Sequence, residues 1–265
     1  MIASYPVKNA FLPNRPIDRK IAVGLVAGWL GVALLLWIAS PFASLPGPGE
    51  VWRALGEMWW EGGMGPELFT TLHLIFHALA LTLVISLVLS YATVVPFMRP
   101  AVEAVSKLRF LGITGLVVPF TLWTGGGYDL KVYLLTFSMT TYFVTAMAQV
   151  VVEIPRENFD YMRALGASEL RTLWEVVIRG TLDKAFDVTR QNLAIGWTMI
   201  TMVEGISRAE GGLGALILNQ NKHFRLAEVY AILLVILVVG LLLDYAIGVV
   251  TRIVCPYSVL DRMAR

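Results

Sequence analysis

His73 and His77 stand four residues apart, so on a helix both imidazoles share one face. That spacing permits a shared metal ion. No third ligand stands nearby in sequence, however, and no bound metal is expected. The plainer roles for the pair are hydrogen bonding within a helix bundle or lining a watery path. Glu204 and Asp244 interrupt apolar stretches. A carboxylate inside a membrane span is expensive and is by default a functional candidate. For Glu204 the alternatives are an inter-helix hydrogen bond or a position near the hydrated surface; for Asp244 a structural pairing with protein is expected. Gln149 joins the two histidines and Glu204 as a candidate to line such a watery path. These groups are too few and too scattered in sequence to form a catalytic set. The single cysteine, Cys255, excludes an internal disulfide and any multi-cysteine metal site. With no GxxxxGK loop, the chain has no P-loop for ATP.

The elements that must position these residues belong to a lipid-embedded chain. Of 265 residues, 57% are hydrophobic and 15% charged, against about 25% charged in a soluble domain. A soluble protein of this length could not hide so much apolar surface. A spanning helix needs about 20 apolar residues, and six candidate spans appear, at about 21–42, 68–95, 108–123, 131–152, 192–206 and 229–254. The first is longer than the roughly 7–15 apolar residues of a secretory leader and is read as a retained helix. Between the first two spans, Trp52, Trp59 and Trp60 sit in a Pro/Gly-rich stretch, the composition of a short interfacial helix.

The basic residues give the orientation. With the N-terminus inside, the outer segments carry Arg53, Lys131, Arg208, Lys222 and Arg225, and the remaining sixteen of the 21 Lys and Arg residues fall on the inner segments. That asymmetry fits the positive-inside rule and predicts that both termini are cytoplasmic. The organisation is a cytoplasmic segment 1–20, one all-α transmembrane domain over 21–255, and a cytoplasmic tail 256–265.

The longest inner segment, 153–190, reads as a helical hairpin. Pro155 can start a helix, and Glu157 and Asp160 favour its first turns. Tyr161, Ala164 and Leu165 recur at helical spacing, Leu170, Leu173 and Trp174 continue an apolar face, and Gly166 between them bends or breaks the chain. The apolar face must dock on headgroups, on its own bundle or on a partner; the residue pattern alone leaves these open.

The run Asp160-Tyr161-Met162-Arg163-Ala164-Leu165-Gly166-Ala167-Ser168, followed by Val176-Val177-Ile178, resembles the EAA loop of bacterial ABC importer permeases. Gly166 takes that pattern's glycine, while Tyr161 and Met162 replace its two alanines and Arg179 replaces its usual proline. The 45–51 segment LPGPGEV, Trp197, Glu204 and the 211–214 segment GGLG resemble the nitrate/sulfonate/taurine-type branch, so the resemblance covers about residues 45–255. It implies a type I importer fold and a non-catalytic permease subunit in the inner membrane. It also implies an ATPase-coupling loop made of Asp160, Arg163, Ala164, Leu165, Gly166, Ala167, Ser168, Glu169 and Leu170. Arg163 and Glu169 are expected to meet charges on the ATPase rim. Trp197 joins His73, His77, Gln149 and Glu204 on the candidate path. The implied partners are two ATP-binding subunits that carry ATP and Mg, a second permease subunit identical or homologous to this one, an external binding protein and membrane lipid. Nucleic acid is not among them, and no cofactor is expected on this chain. The cargo implied is a small solute such as a sulfonate or nitrate anion. Two rival classes are an ATP-independent secondary transporter and a membrane-embedded enzyme, neither of which has a reason to carry an EAA-like loop.

Overall fold

The computed structural model describes residues 10, 12, 18–40, 42 and 45–256. The expected segment 1–20 and tail 256–265 lie almost wholly outside the described residues. Among those described there are eleven α-helices and no strand. They are α1 (Arg19–Ile38), α2 (Pro48–Trp60), α3 (Met64–Ala92), α4 (Arg99–Lys107), α5 (Ile113–Thr124), α6 (Gly127–Val152), α7 (Arg156–Ala164), α8 (Glu169–Thr172), α9 (Leu182–Ile206), α10 (Leu213–Lys222) and α11 (Leu226–Val254).

Four of these, α1, α3, α6 and α11, are long and apolar enough to cross a membrane. The other two expected spans differ in a definable way. The third is α5, 12 residues long, which at 1.5 Å per residue reaches only about 18 Å. The fifth is α9, which starts ten residues before the expected boundary because Asp183, Lys184, Asp187 and Arg190 are helical rather than part of the loop. The expected interfacial helix is α2, with Trp52 and Trp60 largely exposed.

Helix α6 is the hub, packed against α3, α9, α5 and α4. Its interior face is rich in small hydroxyl residues, including buried Thr136, Ser138, Thr140 and Thr141, which let membrane helices approach closely. Gly196 of α9 lies close against Met139: a Cβ there would lie 2.6 Å from the Met139 sulfur, which would have to shift. Ile75 on α3, Met139 on α6 and Trp197 and Ile200 on α9 belong to the main core. A second core, at the end of the bundle that carries the 153–190 segment, holds Phe143, Met147, Val177 and Val188. Helix α1 stands apart, its spanning residues unburied, tied to the rest through the Trp37 indole N–H donating to the Pro46 carbonyl at 3.0 Å.

Two helices end in the same way on very different residues. In α7, Gly166 (φ 77°) follows the C-cap Leu165, its N–H donates to Arg163 O, and Ala167 N–H donates to Met162 O. In α10, Phe224 (φ 55°) follows the C-cap His223, its N–H donates to Asn221 O, and Arg225 N–H donates to Gln220 O. Both are Schellman closures, whose left-handed position is usually glycine. Among the described residues Phe224 is the one non-glycine residue at positive φ, a conformation that disfavours an L side chain by about 1–2 kcal/mol.

Candidate functional site

The hairpin forms as its composition requires. Pro155 caps α7 in extended backbone, and Ser168 caps α8 by accepting from Arg171 N. Gly166 makes the reversal between them. A π-helical segment over Leu173–Arg179 then leads to Gly180, where a Cβ would sit 2.3 Å from Val176 O, so only glycine fits there. Phe159 and Leu173 pack onto the inner core around Phe143, Met147 and Val177. Tyr161, Leu165, Leu170 and Trp174 stay exposed, Leu170 to 80%. One apolar edge thus anchors the hairpin to its own bundle and a second stands uncovered.

Arg163 and Glu169 face one another across the turn, both side chains still exposed. Nε donates to Oε1 at 2.9 Å and a terminal nitrogen donates to Oε2 at 3.1 Å, closing the hairpin with a two-pronged ion pair. Asp160 joins at 3.5 Å. The hydrogen bond from Arg163 holds the Glu169 carboxyl below the usual carboxylate range. Arg179, where the EAA pattern has proline, pairs with Glu175 at 3.0 Å. Ala164, Ala167 and Ser168 complete the turn around Gly166.

The five path candidates do not come together. Gln149 donates to Glu153 near the end of α6. Trp197 is buried, its indole N–H donating to Ile236 O at 2.9 Å, and Gly240 leaves room for the ring. His73 and His77 do meet, through a partner on another helix: the Tyr128 hydroxyl lies 2.9 Å from His73 Nδ1 and 3.2 Å from His77 Nδ1. Since α3 starts at Met64, His77 sits near its midpoint, about 20 Å along a helix of about 43 Å. Both rings are exposed on the chain. At that depth hydrocarbon is a poor neighbour for them, which leaves a watery path or another protein surface.

Glu204 belongs to a buried cluster whose members are spread widely in sequence. Its Oε1 accepts from Thr71 Oγ1 and its Oε2 from Gly214 N, both at 2.7 Å. Thr71 Oγ1 accepts from Leu213 N at 2.9 Å, Glu67 accepts from Gly212 N, and Lys131 Nζ donates to Gly211 O at 2.8 Å. The 211–214 turn thus has a backbone group of each residue held by a side chain from α3, α6 or α9. Three of those groups are N–H donors at the start of α10, otherwise left without partners by a helix end. A Cβ on Gly212 would fall 2.2 Å from the Glu204 carboxylate, and one on Gly214 would lie 2.4 Å from Thr201 O. Lys131, expected as an outer surface charge, is 1% exposed. Asp244 has the structural partner expected of it: it accepts both prongs of Arg190 from α9 at 2.5 Å.

Residues 79–254 match the family described as binding-protein-dependent transport system inner membrane component. A probable ABC transporter permease protein of Brucella melitensis biotype 1 is 22% identical over 231 residues, covering 85% of this chain and 89% of its own. Another, of Brucella abortus strain 2308, is 22% identical and covered to 88%. Among solved structures, an inward-facing conformation of the MetNI methionine ABC transporter superposes with a TM-score of 0.62 at 18% identity. That match covers 75% of this chain and 98% of the chain compared.

Proposed function

Because this chain belongs to the family of binding-protein-dependent transport system inner membrane components, non-catalytic membrane subunits of ABC transporters, we propose that the Gly166 hairpin is the element through which it is driven. The chain pairs with a second permease subunit around a central path, and each hairpin seats in a cleft of an ATP-binding subunit that carries ATP and Mg. Closure of the two ATPases moves the hairpins and shifts the path between inward- and outward-facing populations. Both termini are cytoplasmic in this reading, an external binding protein delivers the solute, and the solute is a small molecule such as a sulfonate or nitrate, as the nitrate/sulfonate/taurine-type resemblance suggests.

One observation carries the coupling role: the hairpin is locked to its own bundle through Phe159 and Leu173, yet offers Tyr161, Leu165, Leu170 and Trp174 uncovered on the other side. A rigid lever needs both properties. Rigid attachment transmits displacement inward, and an apolar edge gives a partner something to grip. Gentle purification of the tagged chain from its native membrane is expected to bring an ATP-binding subunit with it. Leu170→Asp, at a position the chain itself does not bury, is expected to lose that subunit while the membrane domain stays folded. Retention of the subunit by Leu170→Asp would refute the docking role, and ATP-independent transport by the lone chain in liposomes would refute the ABC mechanism.

A further inference from the structure

The turn 221–225 joins α10 to α11, and all five of its residues, Asn221, Lys222, His223, Phe224 and Arg225, are exposed. Phe224 occupies the left-handed closing position of α10 and is 86% exposed. Neither backbone conformation nor packing within the chain favours phenylalanine there; glycine would satisfy the same two hydrogen bonds without strain. Strain held at a bulky exposed residue points to contact made outside the chain. Charge points the same way. Lys222 and Arg225 stand on either side of Phe224 in sequence, and neither forms an ion pair among the described residues. The nearest carboxylate in sequence is Glu228, in the first turn of α11.

The height of the turn separates a protein partner from lipid. Val51, the neighbour of Trp52, packs with Ala231 of α11, and Trp52, Trp59 and Trp60 line a groove with Leu234, Val238 and Leu242. These tryptophans mark the interface. From Ala231 to Leu226, α11 rises about a further 8 Å, so the turn stands beyond the tryptophans and in water. The positive-inside asymmetry puts this side outside the cell, where lysine and arginine are otherwise scarce in this chain.

We propose that Lys222, Phe224 and Arg225 form a docking knob for the external solute-binding protein, the ring entering an apolar notch and the two cations meeting an acidic rim. The proposal rests on the importer reading and adds to it a specific contact. The test uses the assembled transporter in nanodiscs and the soluble binding protein whose addition raises ATP hydrolysis by the wild-type complex. Phe224→Gly removes the ring and the strain together. The expected result is a thermal midpoint equal to or above wild type, unchanged basal ATP hydrolysis, and an affinity for the binding protein at least tenfold weaker. Phe224→Ala keeps the strain and is expected to weaken binding without raising the midpoint. The double variant Lys222→Gln/Arg225→Gln is expected to abolish the salt dependence of association. Wild-type affinity in Phe224→Gly would overturn the proposal, as would quenching of Phe224→Trp fluorescence by bromine-labelled lipid acyl chains beyond the quenching of the eight tryptophans in the wild-type chain, which would seat the knob in the membrane. If the wild-type complex binds and responds to no binding protein at all, the importer reading itself fails and the knob fails with it.

Discussion

Replacing Gly166 tests the hairpin at the residue that turns it. A Cβ built at Gly166 meets nothing within 4 Å, so the substitution carries no steric term from neighbours. What remains is the left-handed backbone, φ 77°, which disfavours an L residue by about 1–2 kcal/mol. A shift of that size lowers the ratio of correctly turned to misturned hairpin about 5–30-fold. Because the penalty is purely conformational, it should follow each residue's tolerance of positive φ: Asn the mildest, Ala intermediate, β-branched Val the most severe. Hydrogen exchange in nanodiscs reads this directly at the amides of Gly166 and Ala167, which donate to Arg163 O at 2.9 Å and Met162 O at 3.1 Å. Protection should fall in the order Gly, Asn, Ala, Val, and retention of the ATP-binding subunit should fall in parallel. If Val exchanges no faster than Asn, the left-handed turn does not hold the hairpin and Gly166 is not its pivot.

Glu204→Ala should destabilise the membrane domain by about 2–6 kcal/mol, because the Thr71 hydroxyl and the Gly214 N–H each lose a buried acceptor at about 1–3 kcal/mol apiece. Glu204→Gln should fall between that and wild type in detergent unfolding, since it keeps one acceptor and turns an amide N–H₂ toward a donor. Both variants lying within about 1 kcal/mol of wild type would show that the cluster is not what holds the 211–214 turn. The Arg163–Glu169 pair gives a pH prediction with a definite sign. Its folded carboxyl is held low, so the stabilisation is complete above the ordinary glutamate value of about 4.3 and is lost as pH falls through the lower folded value. The ¹³C carboxyl shift of Glu169 should therefore titrate below the ordinary range, and Arg163→Gln should return it there. An ordinary midpoint in the wild-type chain would contradict the pairing.

The helices legible in the sequence were those whose signal is local. The long apolar runs of α1, α3, α6 and α11 and the break at Gly166 depend only on neighbouring residues. The start of α9 was not legible in the same way. Apolar content marks what lipid or core must cover, and Asp183, Lys184, Asp187 and Arg190 dilute that signal over a stretch whose other face, Ala185 and Val188, is core. The weaker signal that could have found it was the helical recurrence of Ala185, Val188 and Asn192, which face the interior. Glu204 stood out as an ionisable group in a span, but its role was hidden because Thr71 is 133 residues away. Tyr128 escaped notice for the same reason, lying 51 and 55 residues from the histidines it joins. Trp197 was singled out by resemblance, and only the packing of α9 on α11 places its N–H against Ile236 O.

The cluster around the 211–214 turn also imposes a timetable on biosynthesis. Glu67 enters the membrane region with the first turn of α3, yet its partner Gly212 lies 145 residues downstream. At about 5–20 residues per second, roughly 7–30 s of translation separate the two. Through that interval Glu67 and Thr71, joined partway by Lys131, sit at the starts of their helices with no backbone to receive them. They must be held at the hydrated boundary rather than drawn into the bilayer. The three helix ends can therefore be locked only when the turn before α10 emerges, so this end of the bundle stays open until that turn has been made.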